Sequence, residues 1–223
     1  KKIKCKKKGN YNFKASEKKK NLKSINSILS KLFIFNFSRN DCIISFGGGI
    51  TGDVAAFAAS IYKRGLKFIN IPTTLLAQVD SSIGGKSGVN NKYGKNLIGS
   101  FIQPDLVISD INLLKSLPKR EIICGYGEIL KHSIISKRNT FNFLRKNFNK
   151  ILDLKSPFIN KAIIDSCKIK RNIVQLDEKE KNMRKILNLG HTFAHAYEAA
   201  LSYSKKLNHG EAVILGIMSS TKF

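Results

Sequence analysis

Apolar residues at Leu22, Ile25, Ile28, Leu29 and Leu32 recur at helical spacing, so the pattern predicts an amphipathic helix over about 21–36. The next apolar run, Cys42-Ile43-Ile44-Ser45-Phe46, is too short for a helix and suits a buried parallel strand. It enters Gly47-Gly48-Gly49-Ile50-Thr51-Gly52-Asp53, after which Val54 to Tyr62 reads as a helix rich in small residues. Lys67 to Ile71 repeats the strand signal and is stopped by Pro72, and Leu106-Val107-Ile108-Ser109 is a third strand candidate. Between them, Asp80 to Gly99 is rich in Gly and polar residues and too long for a plain connection, so a binding loop is expected there. Strands alternating with helices predict a parallel α/β sheet. From Pro118 onward strand signals vanish and helical periods run to the end. The expected organisation is a Lys-rich, mobile or poorly packed segment at 1–20, an α/β domain at 21–118 and an all-helical domain at 119–223, with the boundary near 117–119.

Composition narrows the class. A chain of 223 residues with 42% hydrophobic content can bury a substantial core. Its net charge of +25 resembles a nucleic-acid signature, yet residues 1–24 alone carry eleven Lys against one Glu. The remaining charge is spread along helices and there is no Trp, which favours a solvated basic surface over nucleic-acid binding. Such a field would still gather a phosphorylated substrate. Cys5, Cys42, Cys124 and Cys167 form no C-x-x-C pair, and no stretch of 18 apolar residues exists. A cytoplasmic protein without a membrane span is therefore expected.

Two places carry candidate chemistry. Glycines at a strand-to-helix turn let backbone N–H groups approach a phosphate, so Gly47 to Asp53 reads as a nucleotide or phosphate site, although it is not the G-x-G-x-x-G fingerprint. A tight connection needs Gly on steric grounds too. The second place gathers all four histidines into three short segments. His191 and His209 with Glu128 supply two imidazoles and a carboxylate, the ligand set of a catalytic divalent metal that keeps a position open. If the helix ran unbroken, Arg184, Asn188, His191 and His195 would share an arc of about 60°. The plain alternatives are a wet helix face there and an ordinary i,i+3 ion pair between Glu128 and Lys131.

Seven motifs in chain order make the pattern specific. They are the Gly47–Asp53 turn, Pro72-Thr73-Thr74-Leu75-Leu76-Ala77-Gln78-Val79-Asp80-Ser81-Ser82, Gly84-Gly85-Lys86, Gly94-Lys95-Asn96, Gly127-Glu128-Ile129-Leu130-Lys131, Leu187-Asn188-Leu189-Gly190-His191-Thr192 and His209-Gly210-Glu211-Ala212. Together they resemble the 3-dehydroquinate synthase family from about residue 40 to the end. The resemblance implies a Rossmann-like NAD-binding α/β domain followed by a helical metal- and substrate-binding domain. It also implies conversion of 3-deoxy-D-arabino-heptulosonate 7-phosphate to 3-dehydroquinate and phosphate, with NAD and zinc or cobalt as cofactors and a homodimer as the assembly.

By the same resemblance Glu128, His191 and His209 are the metal ligands, and Gly48, Gly49, Asp53, Thr73, Thr74 and Lys95 contact NAD. Asp80, Lys86, Asn96, Lys131, Lys170, Arg184 and Asn188 hold the substrate, with Arg64 reaching a phosphate across a subunit interface. Glu180, His195 and Lys131 are the candidate catalytic groups. Leu189 stands where the family often has Phe. The family's chains run longer at both ends, so parts of the nucleotide and helical domains are expected to be lacking here. A sugar-phosphate cyclase on the same scaffold shares most of these motifs. An inactive fragment or a basic nucleic-acid-binding protein is the non-enzyme alternative.

Overall fold

In the computed structural model, residues 8–202, 204 and 206–222 are described. Helix α1 (Leu22–Ile34) starts where the Asn21 side chain accepts the Ser24 N–H, and it buries Ile25 and Leu32 on the face that the spacing predicts. Strands β1 (Cys42–Gly47) and β2 (Lys67–Pro72) pair in parallel, Cys42 opposite Lys67 and Gly47 opposite Pro72. Between them α2 (Gly49–Ile61) crosses over, and its Ala58 and Ala59 are fully buried. Small side chains on α2 allow this close approach.

The stretch expected to be a binding loop is instead an antiparallel hairpin, β3 (Lys86–Asn91) with β4 (Gly94–Phe101), preceded by a π-helical turn at Ala77–Ser81. Its strands lack an apolar alternation because few side chains need covering. Val89 is fully buried against α2, whereas Leu97 lies 62% exposed on the far face. The third parallel strand, β5 (Leu106–Val107), joins β2 and gives the order β1-β2-β5.

The helical half comprises α3 (Lys119–Ile134), α4 (Arg138–Lys146), α5 (Phe148–Leu152), α6 (Phe158–Leu176), α7 (His191–Ala200) and α8 (His209–Ser220). Its main core joins Ile122, Tyr126 and Ile129 of α3 with Leu144, Ile151 and Ile159, and it also takes in Leu75, Val79 and Leu114 from before Pro118. Each such burial stabilises the fold by about 1.5–3 kcal/mol relative to exposure. Helices α3 and α8 cross glycine on glycine: a Cβ on Gly127 would come within 2.6 Å of the Gly210 carbonyl oxygen.

One further expectation needs correction. The unbroken helix through Arg184 and His195 does not form: Met183–Asn188 is a 3-10 turn, and Gly190 reverses the chain at φ 77° before α7 begins. Gly190 lies so close to α8 that a Cβ would meet the Ile217 nitrogen at 2.8 Å, and only Gly meets both demands. The described part of the Lys-rich start is largely exposed, and its packed residues are Phe13 and Lys20. Lys20 is only 5% exposed, its carbonyl accepts the Asn90 N–H, and Phe13 packs against the α1–α2 core. Residues 1–7 of that segment lie outside the described residues.

Candidate active site and metal centre

Three helices converge on one carboxylate. Glu128, in the middle of α3, is fully buried, and its Oε1 lies 4.0 Å from His191 Nε2 and 3.8 Å from His209 Nε2. His191 is the first residue of α7 and His209 the first of α8, so each imidazole sits at a helix start fixed by its neighbour. Gly190 sets the entry of α7, and a capping box between Asn208 and Glu211 sets that of α8. One ligand atom from each of Glu128, His191 and His209 falls within 4.8 Å of the others.

Among the described residues neither Glu128 oxygen has a hydrogen-bond partner of good geometry, although Lys131 Nζ stands 2.5 Å from Oε2 as an ion-pair partner. A buried, under-satisfied carboxylate facing two imidazoles is costly for a protein alone and is relieved by a cation between them. The donor set therefore fits a divalent metal.

The electrostatics agree with that fit. Burial, then the nearby Asp80, raises the Glu128 carboxyl above the usual range. Burial, then the Lys131 ammonium, pushes the His191 imidazole down to about 4, so it is neutral at pH 7 with a lone pair available. Burial lowers His209 as well, but the Glu198 and Glu128 carboxylates outweigh it and leave the imidazole above its ordinary value. Glu198 Oε1 lies 3.4 Å from His209 Nδ1, the arrangement that keeps Nε2 turned toward Glu128.

Beside this cluster a cleft of about 570 Å³ is lined by Asp53, Asp80, Lys86, Asn96, Lys170 and Arg184. Lys170 donates to the Asp80 carboxylate at 2.5 Å and to its carbonyl at 2.6 Å. Burial alone would raise Asp80, yet Lys170, Lys131 and His132 together hold it well below the carboxylate range. Arg184, 2% exposed, donates to the carbonyls of Gly84, at 2.9 Å, and Glu178. Burial lowers its guanidinium, although such a group keeps its charge. Glu180 pairs with Lys86 and accepts from Asn188 Nδ2 at 3.0 Å; burial opposes its ionisation, but those partners with Arg184 lower its pKa.

The glycine turn abuts this cleft. Gly48 and Gly49 open α2, the Thr73 N–H donates to the Gly47 carbonyl at 2.9 Å, and Thr74 Oγ1 accepts the Ala77 N–H at 3.1 Å. Asp53 and Asn96 are tied together by Lys20, whose Nζ donates to them at 2.5 and 2.6 Å.

Two of the expected residues sit apart or at the rim. His195 is exposed one turn beyond His191, its ring edge-on at 5.5 Å between centroids. Arg64 is exposed on the turn after α2 at φ 66°, away from the cluster. Lys95 lies on β4, where its charge reaches Glu198.

Sequence reasoning missed Lys20, Glu198 and His132. Lys20 was hidden in a lysine-rich run, where one more Lys carries no signal. Glu198 was findable, since it follows His191 by two helical turns on the same face. His132 stands four residues after Glu128 and is fully buried.

A parallel sheet with helices, followed by a helical half, is shared with solved enzymes. The fold matches 2-deoxy-scyllo-inosose synthase complexed with carbaglucose-6-phosphate, NAD+ and Co2+, at TM-score 0.85 and 31% identity over 92% of this chain and 56% of that one. It matches 2-epi-5-epi-valiolone synthase from Streptomyces hygroscopicus subsp. jinggangensis, with NAD+ and Zn2+ bound, at TM-score 0.85 and 26% identity over 92% and 57%. The architecture is thus that of the dehydroquinate synthase-like enzymes. Residues 10–124 match the N-terminal model and residues 125–223 the C-terminal model of 3-dehydroquinate synthase. The chain belongs to the 3-dehydroquinate synthase family. It is 70% identical over 211 residues to the 3-dehydroquinate synthase of Pelagibacter ubique, covering 95% of this chain and 57% of that protein. The chain thus spans little more than half the length of that relative.

Proposed function

We propose that this chain carries the central machinery of a 3-dehydroquinate synthase, a carbon–oxygen lyase that converts 3-deoxy-D-arabino-heptulosonate 7-phosphate to 3-dehydroquinate and phosphate. The observation that supports it best is the buried Glu128 carboxylate, under-satisfied between His191 and His209 and close to Asp80, which lines a cleft carrying Lys86, Lys170 and Arg184. Glu128, His191 and His209 would hold zinc or cobalt, which when bound supplies Lewis-acid polarisation of substrate oxygens. Gly48, Gly49, Asp53, Thr73, Thr74 and Lys95 would hold NAD, which when bound supplies reversible hydride acceptance. The α2 N-terminus suits an anion, because its first N–H groups are unpaired within the helix.

The chain's own residues do the rest. Lys86 and Arg184 present fixed positive charge to the carboxylate and phosphate of the substrate, while Asn96 and Asn188 suit its hydroxyls. Asp80 holds Lys170 in place through two short hydrogen bonds, so that cation is aimed before substrate arrives. Glu180, ionised at neutral pH, is a base able to take a proton at a carboxylate oxygen. His195, exposed at the rim, can pass a proton between the cleft and water. Lys131 neutralises the Glu128 oxygen that faces away from the two imidazoles. Arg64 would serve the cleft of a second copy, in a homodimer working in the cytoplasm.

The test is phosphate release by the intact protein with 3-deoxy-D-arabino-heptulosonate 7-phosphate, NAD+ and cobalt or zinc. Release should require both additions and disappear with chelator and in His191→Ala. Sedoheptulose 7-phosphate and glucose 6-phosphate run alongside; faster turnover of either would replace the synthase reading by that of another cyclase.

A further inference from the structure

One buried imidazole has no part in the chemistry above. His132 lies on α3 one turn after Glu128, with its side chain fully enclosed. Its Nδ1 lies 2.7 Å from the hydroxyl of Ser166, which is 1% exposed on α6. Among the described residues its Nε2 has no hydrogen-bond partner, and Glu128 Oε2 lies 3.8 Å from it. Two polar groups, each enclosed and each unsatisfied on the facing side, thus look at one another across a gap that a small side-chain rotation would close.

The tautomer follows from the surroundings. If Nδ1 carried the proton and gave it to Ser166, the bare Nε2 lone pair would face a carboxylate. If the Ser166 hydroxyl donates to Nδ1, Nε2 carries the proton and points it at Glu128. The second arrangement satisfies both sides. Asp80, Glu128 and His132 also come within ligand distance of one another. That group does not call for a second metal: Lys131 and Lys170 already place ammonium ions 2.5 Å from Glu128 Oε2 and Asp80 Oδ1.

We propose that His132, set by Ser166, is a positioning residue for Glu128: its Nε2–H and Lys131 hold Oε2, which leaves Oε1 turned to the His191–His209 side for the metal. The inference rests on the metal site proposed above. A ligating carboxylate held through its other oxygen loses less freedom when the cation binds, and such supporting hydrogen bonds are commonly worth 10–100-fold in metal affinity, on the order of their loss by mutation.

The experiment is a titration of the metal-free intact protein with Co2+, reading both the dissociation constant and the visible absorption band of the bound ion. Folding is checked by circular dichroism. His132→Leu should weaken binding by about 10–100-fold and shift the band. His132→Gln, which offers an amide N–H toward Oε2, should recover most of the loss, and Ser166→Ala should weaken binding with the imidazole still present. A folded His132→Leu with the parent affinity and band overturns the proposal, as does a Gln variant no better than Leu. If His132→Leu does not fold, Ser166→Ala and His132→Gln decide: parent affinity in Ser166→Ala overturns it. A parent protein that binds no cobalt brings down the metal centre and this inference together. Tight cobalt binding that is lost in His191→Ala but indifferent to His132 and Ser166 brings down this inference alone.

Discussion

Asp177, the C-cap residue of α6, organises the segment that carries Glu180 and Arg184. Its carboxylate accepts the backbone N–H groups of Lys181 at 2.9 Å, Asn182 at 2.7 Å and Arg184 at 3.1 Å. Desolvation works against the charge, but these donors and the Arg184 cation prevail and lower its pKa. A carboxyl lowered on folding stabilises the fold above its unfolded value, and that contribution is lost as pH falls through the folded one. Melting temperature followed from pH 7 downward should therefore drop more steeply, below about pH 4, in the parent protein than in Asp177→Asn. Equal slopes would show that Asp177 contributes nothing through its charge. Read from sequence, Asp177 is one acidic residue in a charged loop. Its role depends on a backbone turn that no side-chain pattern announces, and the same holds for Lys20 among its lysine neighbours.

At the scale of elements, the sequence was most readable where side chains alternate against a core and least where backbone meets backbone. Helix α1, strands β1 and β2 and the change to helices after Pro118 all follow from apolar spacing. The hairpin β3–β4 does not, because its partner face is supplied by α2 and Ser87 and Gly88, which offer no apolar side chain, are buried beside Val89. The break at Gly190 was equally hidden: the helical arc through Arg184 and His195 was arithmetically sound and physically wrong, since α8 lies where a side chain would have to go. Glycine contacts also set the metal centre. A Cβ on Gly210 would fall onto the Cys124 carbonyl of α3, so Gly210→Ala must push α8 away and carry His209 from Glu128. We expect a loss of about 1–3 kcal/mol of stability, as for other overpacked cores, together with loss of tight cobalt binding. Unchanged melting and cobalt affinity would mean that the helix contact is slack.

For the whole molecule, the connection at Leu117–Pro118 separates two kinds of secondary structure without separating two cores. Leu75, Val79 and Leu114 lie before it and pack among Ile122, Tyr126, Ile129 and Ile159 after it. Lys170 reaches back over the same divide to Asp80, and Arg184 to Gly84. A protease site inserted between Leu117 and Lys119 should therefore yield, after cleavage, two pieces that still elute together under native conditions and part only in denaturant. Separate elution of the pieces would show that the shared core contributes little to holding them. If they stay together, the covalent link is a convenience of synthesis, and two genes, each encoding one piece, could in principle supply what one chain supplies now.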